Sequence, residues 1–234
     1  MNRQGLLLAG AALLAWSRAA TAEDAATQPQ APPDEGDDPA RAFNQIRMLL
    51  SGSTFSGRSL VGTGSVGRYR LGGASLELEA ERVFGVAGFF VDVGGFYIPD
   101  SDELGYVRGE GGAAFGVASW QGAAPGSVLL AAGIGGDYGR YWYAEDGRFY
   151  GLASARLRLW PSRDVPLQLA YTAIPAAFTA IDGHHHEHRV ELATGWSLLT
   201  FGSRLGFAFT SGGEPHRTFS QVEIGTFVGV GLYE

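Results

Sequence analysis

An alternation with a period of two residues runs through the last part of the chain, from residue 220 to residue 233. One set of positions is apolar or β-branched: Val222, Ile224, Thr226, Val228, Val230 and Leu232. The positions between them are mostly polar or glycine: Gln221, Glu223, Gly225, Phe227, Gly229 and Gly231. Successive side chains of a β-strand point to opposite faces, whereas an amphipathic helix repeats every 3.6 residues. This segment is therefore predicted to be a strand with one apolar and one polar face.

The same alternation recurs along most of the chain and predicts ten antiparallel strands, with eight as the alternative count. The expected strands cover residues 62–71, 74–84, 86–98, 105–120, 127–138, 149–160, 165–174, 186–198, 203–210 and 220–233. Gly72-Gly73 is a tight hairpin signal between the first two strands. Consecutive strands of this kind predict an all-β fold, an antiparallel up-and-down β-barrel.

The alternation leaves open whether the apolar faces point into the barrel or out of it. A soluble periplasmic barrel of the lipocalin kind, which binds an apolar ligand, would turn them inward. The composition of the polar faces favours the opposite arrangement, because they contain many of the 36 glycines and no lysine. Small residues suit a narrow barrel interior, where inward positions are crowded. The sequence therefore predicts a transmembrane barrel with its apolar faces outward.

Strand length and connection length favour the same choice. Strands of about 10 residues tilted near 40° rise about 25 Å, which matches the apolar band of membrane barrels. The connections at one end, near residue 85 and at 120–126, are mostly shorter than those at the other, such as 139–148 and 175–185. Aromatic residues are expected at the two rims: Trp120, Trp160, Trp196, Phe201 and Tyr233 at one, and Tyr97, Tyr138, Tyr141, Trp142, Tyr143, Phe149 and Tyr150 at the other.

The start of the chain has the features of an exported protein. Arg3, an apolar run over residues 5–16 and the small residues Ala20-Thr21-Ala22 predict a signal peptide over residues 1–22. The apolar run is too short for a membrane-spanning helix, which needs about 20 residues. Residues 23–38 are acidic and rich in proline, so we expect a disordered tail there.

A short amphipathic helix is predicted over residues 39–52. Asp38-Pro39 is a helix-start signal, and Gly52 is a residue at which a helix can end. Apolar residues share a face at helical spacing: Phe43, Ile46, Leu49 and Leu50. The barrel domain is then expected to occupy residues 53–234.

Charge and cysteine content exclude some functions. The net charge is −7, and all 17 basic residues are arginines dispersed along the chain. Nucleic-acid binding is not expected, because phosphates require clustered basic residues. The chain has no cysteine, so its stability must come from packing and hydrogen bonding rather than from disulfides.

With these features the chain resembles the small outer-membrane β-barrel proteins of double-membraned bacteria over residues 52–234. The resemblance is architectural, and no motif indicates one subfamily. It implies an outer-membrane location with a periplasmic N-terminus, contact with outer-membrane lipid, and recognition by the barrel-assembly machinery. That machinery reads a terminal aromatic residue in many family members, whereas here Glu234 follows Tyr233.

The polar faces carry many charged residues that would line the lumen. They are Arg68, Arg70, Glu77, Glu79, Glu81, Asp92, Arg108, Glu110, Asp137, Arg156, Arg158, Glu187, Arg189, Arg204 and Glu223. Charges inside a barrel must be paired or hydrated. Two interpretations stay open: a structural network that fills a narrow lumen, or a narrow porin-like conduit whose charges set its ion preference.

A histidine-rich stretch is the most unusual local feature. His184, His186 and His188 would share one face of a strand at a spacing of about 7 Å. Imidazoles so placed could weakly bind Zn²⁺ or Cu²⁺, with Asp182 and His216 as possible further ligands. The alternative is a polar loop that is merely rich in histidine. No other cofactor is expected.

Enzymatic activity is not expected, although lipid hydrolysis is an alternative function. Some outer-membrane barrels hydrolyse lipids with a serine, a histidine and a third residue at the outer rim. That chemistry requires a histidine within hydrogen-bond reach of a serine. The only candidates are Ser211 or Ser220 with His216 or His188, and no motif supports them.

Overall fold

A computed structural model describes residues 44–61, 65–84, 86–97, 105–141, 144–162, 165–179, 183–196, 198–212 and 217–233. These residues form ten strands: β1 (Asn44–Val61), β2 (Ser65–Phe84), β3 (Ala87–Tyr97), β4 (Gly105–Trp120), β5 (Gly126–Tyr141), β6 (Ala144–Ser162), β7 (Val165–Thr179), β8 (Gly183–Trp196), β9 (Leu199–Gly212) and β10 (Arg217–Tyr233). The described part of the chain contains no helix long and apolar enough to cross a membrane. The predicted signal peptide and acidic tail lie outside the described residues.

The ten strands form a closed antiparallel barrel. Each strand pairs with its neighbours in sequence, and β1 closes the barrel by pairing with β10. The β1–β10 register runs from Gln45 opposite Tyr233 to Val61 opposite Arg217. Closure leaves no strand edge with unpaired backbone groups, as a barrel in a membrane requires. The predicted up-and-down barrel of ten strands is confirmed.

The barrel wall is apolar outside and polar inside. On β10, Val228 is 52% exposed on the outer face, whereas its neighbour Phe227 is 5% exposed and points inward. The same contrast recurs around the wall, with Ile134 exposed outside and Asp137 buried inside. In water, exposed apolar residues all around a barrel would be unfavourable, whereas lipid accommodates them. The predicted outward orientation of the apolar faces is thus confirmed, and the lipocalin-like alternative needs the reverse.

The helix predicted over residues 39–52 is wrong in its described part, because Asn44–Val61 is strand β1. Residues 39–43 lie outside the described residues. The apolar residues of this segment fit both the helical repeat of 3.6 residues and the strand repeat of two. The structure shows the strand repeat, because Leu49 is buried and Leu50 is exposed. Pairing with both β2 and β10 gives this segment hydrogen bonds along two sides, which outweigh a short helix. The barrel consequently begins before residue 53.

The hairpin predicted at Gly72-Gly73 is also wrong. Both glycines lie inside β2, which spans 20 residues and includes the two segments predicted as separate strands. Gly72 and Gly73 continue the ladder with β1, opposite Thr54 and Ser53. A Cβ at Gly73 would collide with the ring of Phe96 and the carbonyl of Tyr97. The glycine here permits close packing of strands rather than a turn.

These two errors compensate in the strand count. The sequence prediction lacked β1 and divided β2, so both the prediction and the structure have ten strands. From β3 onward, each predicted strand overlaps the observed one. The described β4–β5 connection, residues 121–125, lies at the barrel end that also holds Asn44 and Tyr233. We refer to this end as the terminal end and to the other as the distal end.

Candidate functional site: the charged barrel interior

The inward face of the barrel collects most of the predicted lumen residues. Buried or half-buried along it are Glu77, Glu79, Glu81, Asp92, Arg108, Glu110, Asp137, Arg156, Arg158, Glu187, Arg189, Arg204 and Glu223. The placement follows from alternation along regular strands, which sets every second side chain inside.

Arg68 and Arg70 were also predicted to line the lumen, and that prediction is wrong. β2 pairs with β1 without a register shift, so the alternation along β2 is unbroken. Glu77 faces inward, and Arg68 and Arg70 therefore share the outward face of Leu76. Both arginines are exposed. The error arose from the misplaced hairpin, which would have reset the alternation.

At the centre of the interior two arginines and two glutamates form a closed ring. Arg47 on β1 donates hydrogen bonds to Glu79 on β2 through Nε at 2.9 Å, and to Glu191 on β8 through Nη2 at 3.0 Å. Arg204 on β9 binds Glu191 at 3.0 Å and lies 3.8 Å from Glu79. Because β10 lies between β1 and β9, the ring links strands that do not pair with each other and crosses part of the interior.

Glu77 lies next to this ring, and its carboxylate has several hydrogen-bond and ion-pair partners. Both its oxygens accept hydrogen bonds of 2.8 Å from the two terminal nitrogens of Arg204, a bidentate pair. Ser75 donates to the same carboxylate at 2.8 Å, and an Arg108 nitrogen lies 4.0 Å away. Bidentate arginine–carboxylate pairs hold both groups in a defined orientation as well as neutralising them. Glu77 therefore connects the central ring to β4.

A second cluster surrounds Glu110 on β4. This carboxylate accepts a hydrogen bond of 2.7 Å from the hydroxyl of Tyr150 on β6, and Arg189 on β8 also donates to it. Arg108 lies 3.7 Å from Glu110, and Arg189 lies 3.2 Å from Glu187. These contacts join β4, β6 and β8, so they too cross the interior.

Toward the terminal end, Glu81 joins β2 to β6. Arg158 lies 2.9 Å from one oxygen of Glu81, and Arg156 binds the other oxygen. Arg158 also donates to Gln168 at 2.9 Å and to Gln45 at 3.5 Å. Arg158 is 2% exposed, so its charge is removed from water and depends on these partners.

Two further contacts complete the interior. Asp137 accepts two hydrogen bonds from Arg148, at 2.8 and 2.7 Å. Glu223 accepts one of 2.8 Å from Ser53. Both contacts join neighbouring strands of the ladder and so stabilise the wall more than they fill the lumen.

Asp92 is the interior carboxylate with the poorest pairing in the described part of the chain. One of its oxygens is buried without a hydrogen-bond partner there. Its carboxylate groups with those of Glu77 and Glu79, with oxygens within 4.8 Å of one another. Carboxylate oxygens are ligands that hard cations prefer, so this group could in principle coordinate one.

The network surrounds a small cavity. A cavity of about 60 Å³ lies among its side chains, between Arg47, Glu79, Asp92, Glu110 and Arg189. Its walls are charged, and the space is enough for a few water molecules. Apolar side chains pack inside the wall as well: Val83, Phe90, Ala114, Leu129, Ala131, Tyr150, Leu152 and Ile174. Charged and apolar side chains thus share the inward face of the described strands.

Several residues of the network escaped the sequence prediction. Arg47 was assigned to a helix, and Tyr150 was assigned to the rim by its aromatic type. Glu191 and Arg148 were left out of the predicted set. Alternation alone could have found Tyr150 and Glu191. Each lies an even number of residues from a predicted lumen residue on its own strand, Arg156 on β6 and Arg189 on β8. Arg47 could be found only once its strand was recognised.

The predicted metal ligands lie on the outside of β8. His186 and His188 are exposed there, and the continuous β8–β9 register sets His184 at the next position of the same alternation. Nδ1 of His188 is 2.7 Å from the hydroxyl of Tyr171, and the two rings stack at 6.0 Å. Weak Zn²⁺ or Cu²⁺ binding remains a prediction.

The described residues bring no serine within hydrogen-bond distance of His188, whose partner there is Tyr171. His216 lies outside the described residues, and the side chain of Ser211 is not described. Ser220 and His188 border one external cavity, but no hydrogen bond links them in the described structure. The geometry thus offers no support for the lipid-hydrolase alternative.

No protein-family profile matches the chain, and no curated protein matches it. Among solved structures, it is similar to the outer membrane protease OmpT from Escherichia coli, at 8% identity over 82% of this chain and 97% of that chain, with a TM-score of 0.46. It is also similar to Neisserial surface protein A (8%, 78% and 96%, TM-score 0.33) and to Ail, the attachment invasion locus protein of Yersinia pestis (11%, 81% and 99%, TM-score 0.32). At these identities and TM-scores the similarity concerns the barrel architecture alone.

Proposed function

We propose that this chain is a structural outer-membrane β-barrel whose lumen is closed by its own ion pairs. The observation that carries the proposal is the ring of Arg47, Glu79, Arg204 and Glu191, which links β1 and β2 to β8 and β9 through the interior. Both termini of the barrel lie at one end, and we place that end in the periplasm. Outer-membrane lipid then surrounds the apolar wall, and the barrel-assembly machinery inserts it.

The burial of the charges supports a closed lumen. Arg47 and Glu77 are each 3% exposed, so both charges are largely removed from bulk water. An ion channel needs binding weak enough for ions to leave and a lumen that holds water. Here the arginine and carboxylate groups already neutralise one another, and an entering ion would have to displace them. A narrow porin-like conduit is therefore the second candidate, not the first.

Conductance in planar lipid bilayers tests the proposal. We expect the wild-type barrel to give no current steps, because the guanidinium groups of Arg47 and Arg204 block the lumen. The double variant R47A/R204A removes both groups and leaves the carboxylates of Glu77 and Glu191. It is expected to give cation-selective steps, since the remaining charge is negative.

The matched control is R68A/R70A, which removes two arginines from the outer face and is expected to give no current steps. Each protein is first checked for a gel band that shifts on boiling, so that a silent variant is known to be folded. Regular current steps from the wild-type protein would overturn the closed-lumen proposal in favour of the conduit. Recovery of the wild-type protein in the soluble periplasm would overturn its membrane placement.

A further inference from the structure

Three carboxylates follow one another across the inner face of β2, β3 and β4. Asp92 on β3 stands directly opposite Glu79 on β2 and, on its other side, directly opposite Glu110 on β4. The Cβ atoms of directly opposed residues are about 4.5–5.5 Å apart, and like charges at that distance are destabilising. The middle carboxylate therefore meets a like charge on both sides.

The arginines nearby are engaged by the two outer carboxylates of this row. Arg47 donates to Glu79 through Nε at 2.9 Å, and Arg108 lies 3.7 Å from Glu110. The carboxyl group of Asp92 is buried, and its Oδ1 has no hydrogen-bond partner in the described part of the chain. A buried charge is unfavourable unless a partner compensates it. The position of Asp92 thus calls for a cation that these arginines do not supply.

The spacing of the oxygens around Asp92 suits a calcium ion. Glu77, Glu79 and Asp92 each present a carboxylate oxygen, and these oxygens lie within 4.8 Å of one another. Ca²⁺ binds oxygen at about 2.3–2.6 Å in flexible geometry, so two ligands of one ion can be about 5 Å apart. Mg²⁺ needs shorter bonds and a nearly ideal octahedron. An irregular group of three carboxylates therefore favours Ca²⁺.

The oxygens have capacity left for an ion, and water can complete its shell. Oε1 of Glu79 lies 3.8 Å from a nitrogen of Arg204, which is beyond hydrogen-bond distance. A carboxylate oxygen has two lone pairs, so the oxygens of Glu77 that accept hydrogen bonds from Arg204 can each accept a further partner. Glu79 and Asp92 line the cavity of about 60 Å³, whose water would supply the remaining ligands of Ca²⁺.

We propose that the barrel interior binds one Ca²⁺ ion between Asp92 and Glu79, with Glu77 as the third carboxylate. Asp92 is the only charged residue of β3, so the ion connects this strand to the charged network of the other strands. Arg47 and Arg204 contact the same glutamates and repel a cation, and the binding is therefore weak. The site goes beyond the closed lumen, since it assigns a bound ion to the interior.

The test is a titration of the full, folded barrel with calcium chloride in neutral detergent micelles. Bound metal is first removed with a chelator, and isothermal titration calorimetry then measures binding. We expect one site per barrel with a Kd of about 0.1–1 mM, the range of weak extracellular calcium sites. D92N keeps the shape of the side chain and removes its charge. Its affinity is expected to fall at least about tenfold, because the number of charged ligands sets calcium affinity.

The chain offers a matched control elsewhere in the interior. Glu223 on β10 accepts a hydrogen bond of 2.8 Å from Ser53 and does not belong to the group of three carboxylates. E223Q removes one interior negative charge, keeps an oxygen acceptor and is expected to bind Ca²⁺ like the wild type. Equal losses in E223Q and D92N would overturn the site in favour of general charge attraction. Equally tight binding of Mg²⁺ would overturn the assignment to calcium.

Heat stability separates a bound ion from a bound proton. Calcium is expected to raise the temperature at which the folded gel band of the wild type is lost, and to leave that of D92N unchanged. If D92N is the more stable protein and calcium stabilises neither, Asp92 carries a proton and the proposal fails. If D92N gives no folded band, Asp92→Ser takes its place. A folded wild-type barrel without saturable calcium binding also sinks the inference, and it leaves the closed lumen to be decided by conductance.

Discussion

Arginine occupies two different environments on the two faces of this barrel. Inside, Arg204 on β9 holds Glu77 with two hydrogen bonds of 2.8 Å and Glu191 with one of 3.0 Å. Outside, Arg68 and Arg70 on β2 are exposed and have no ion pair in the described structure. The same side chain therefore depends on protein partners in one place and on its surroundings in the other. The face of the strand on which an arginine lies therefore decides whether its charge meets a protein carboxylate or the surroundings of the barrel.

Among variants that compare the two faces, Arg204→Ala is expected to cause the largest loss of stability. It leaves Glu77 buried without its bidentate partner and leaves Glu191 with Arg47 alone. Removal of one partner of a buried pair costs about 3–5 kcal/mol. Urea-induced unfolding of the barrel refolded into lipid vesicles measures this loss. The outer control, Arg68→Ala, is expected to change stability by less than about 0.5 kcal/mol. Equal effects of both variants would contradict the contrast between the faces.

The next largest effect tests the outer face itself. Ile134 is 59% exposed on β5, and Ile134→Arg sets a charge among apolar residues in the middle of the wall. In a membrane barrel this costs about 2–4 kcal/mol, whereas an exposed position in water would tolerate it. Val86→Arg, at the β2–β3 connection, is the depth control and should cost about 1 kcal/mol or less. Unfolding from vesicles again gives both values, and indistinguishable costs would contradict a lipid-facing wall.

The smallest expected loss of stability concerns two neighbouring aromatic residues on opposite faces of β6. Tyr150 is 2% exposed inside and donates a hydrogen bond of 2.7 Å to Glu110, whereas Phe149 is 58% exposed outside. Tyr150→Phe removes that donor and is expected to cost about 1–2 kcal/mol. Phe149→Tyr adds a hydroxyl on the outer face and is expected to be nearly neutral. If Tyr150→Phe were neutral, the hydroxyl of Tyr150 would have no structural role.

The sequence predicted the face of most interior residues from alternation alone. Glu77, Glu110, Asp137 and Arg189 were all expected inside, and all lie there. Their ion-pair partners could not be predicted, because alternation gives the face of each residue on its own strand and not which side chains of other strands it meets inside the barrel. The contact between Arg204 on β9 and Glu77 on β2 required the closed fold, because these strands are far apart in sequence and only β10 and β1 lie between them in the barrel.

The errors have one physical cause, which is that local signals compete with long-range pairing. The segment at Leu49 reads as an amphipathic helix, and Gly72-Gly73 reads as a turn. Two neighbouring strands instead supply backbone partners for both segments. A turn at Gly72-Gly73 would separate the alternation of the preceding residues from that of the following ones. Arg68 and Arg70 were therefore assigned to the wrong face.

The pattern of residues is enough to predict a barrel of two-faced strands, apolar on one side and charged on the other. A period of two is a property of each strand and survives without knowledge of its neighbours. The closed fold was needed to show where the first strand begins, which interior charges pair with one another, and that Arg68 and Arg70 face outward. These depend on register and on contacts across the barrel, which arise only when β1 and β10 meet.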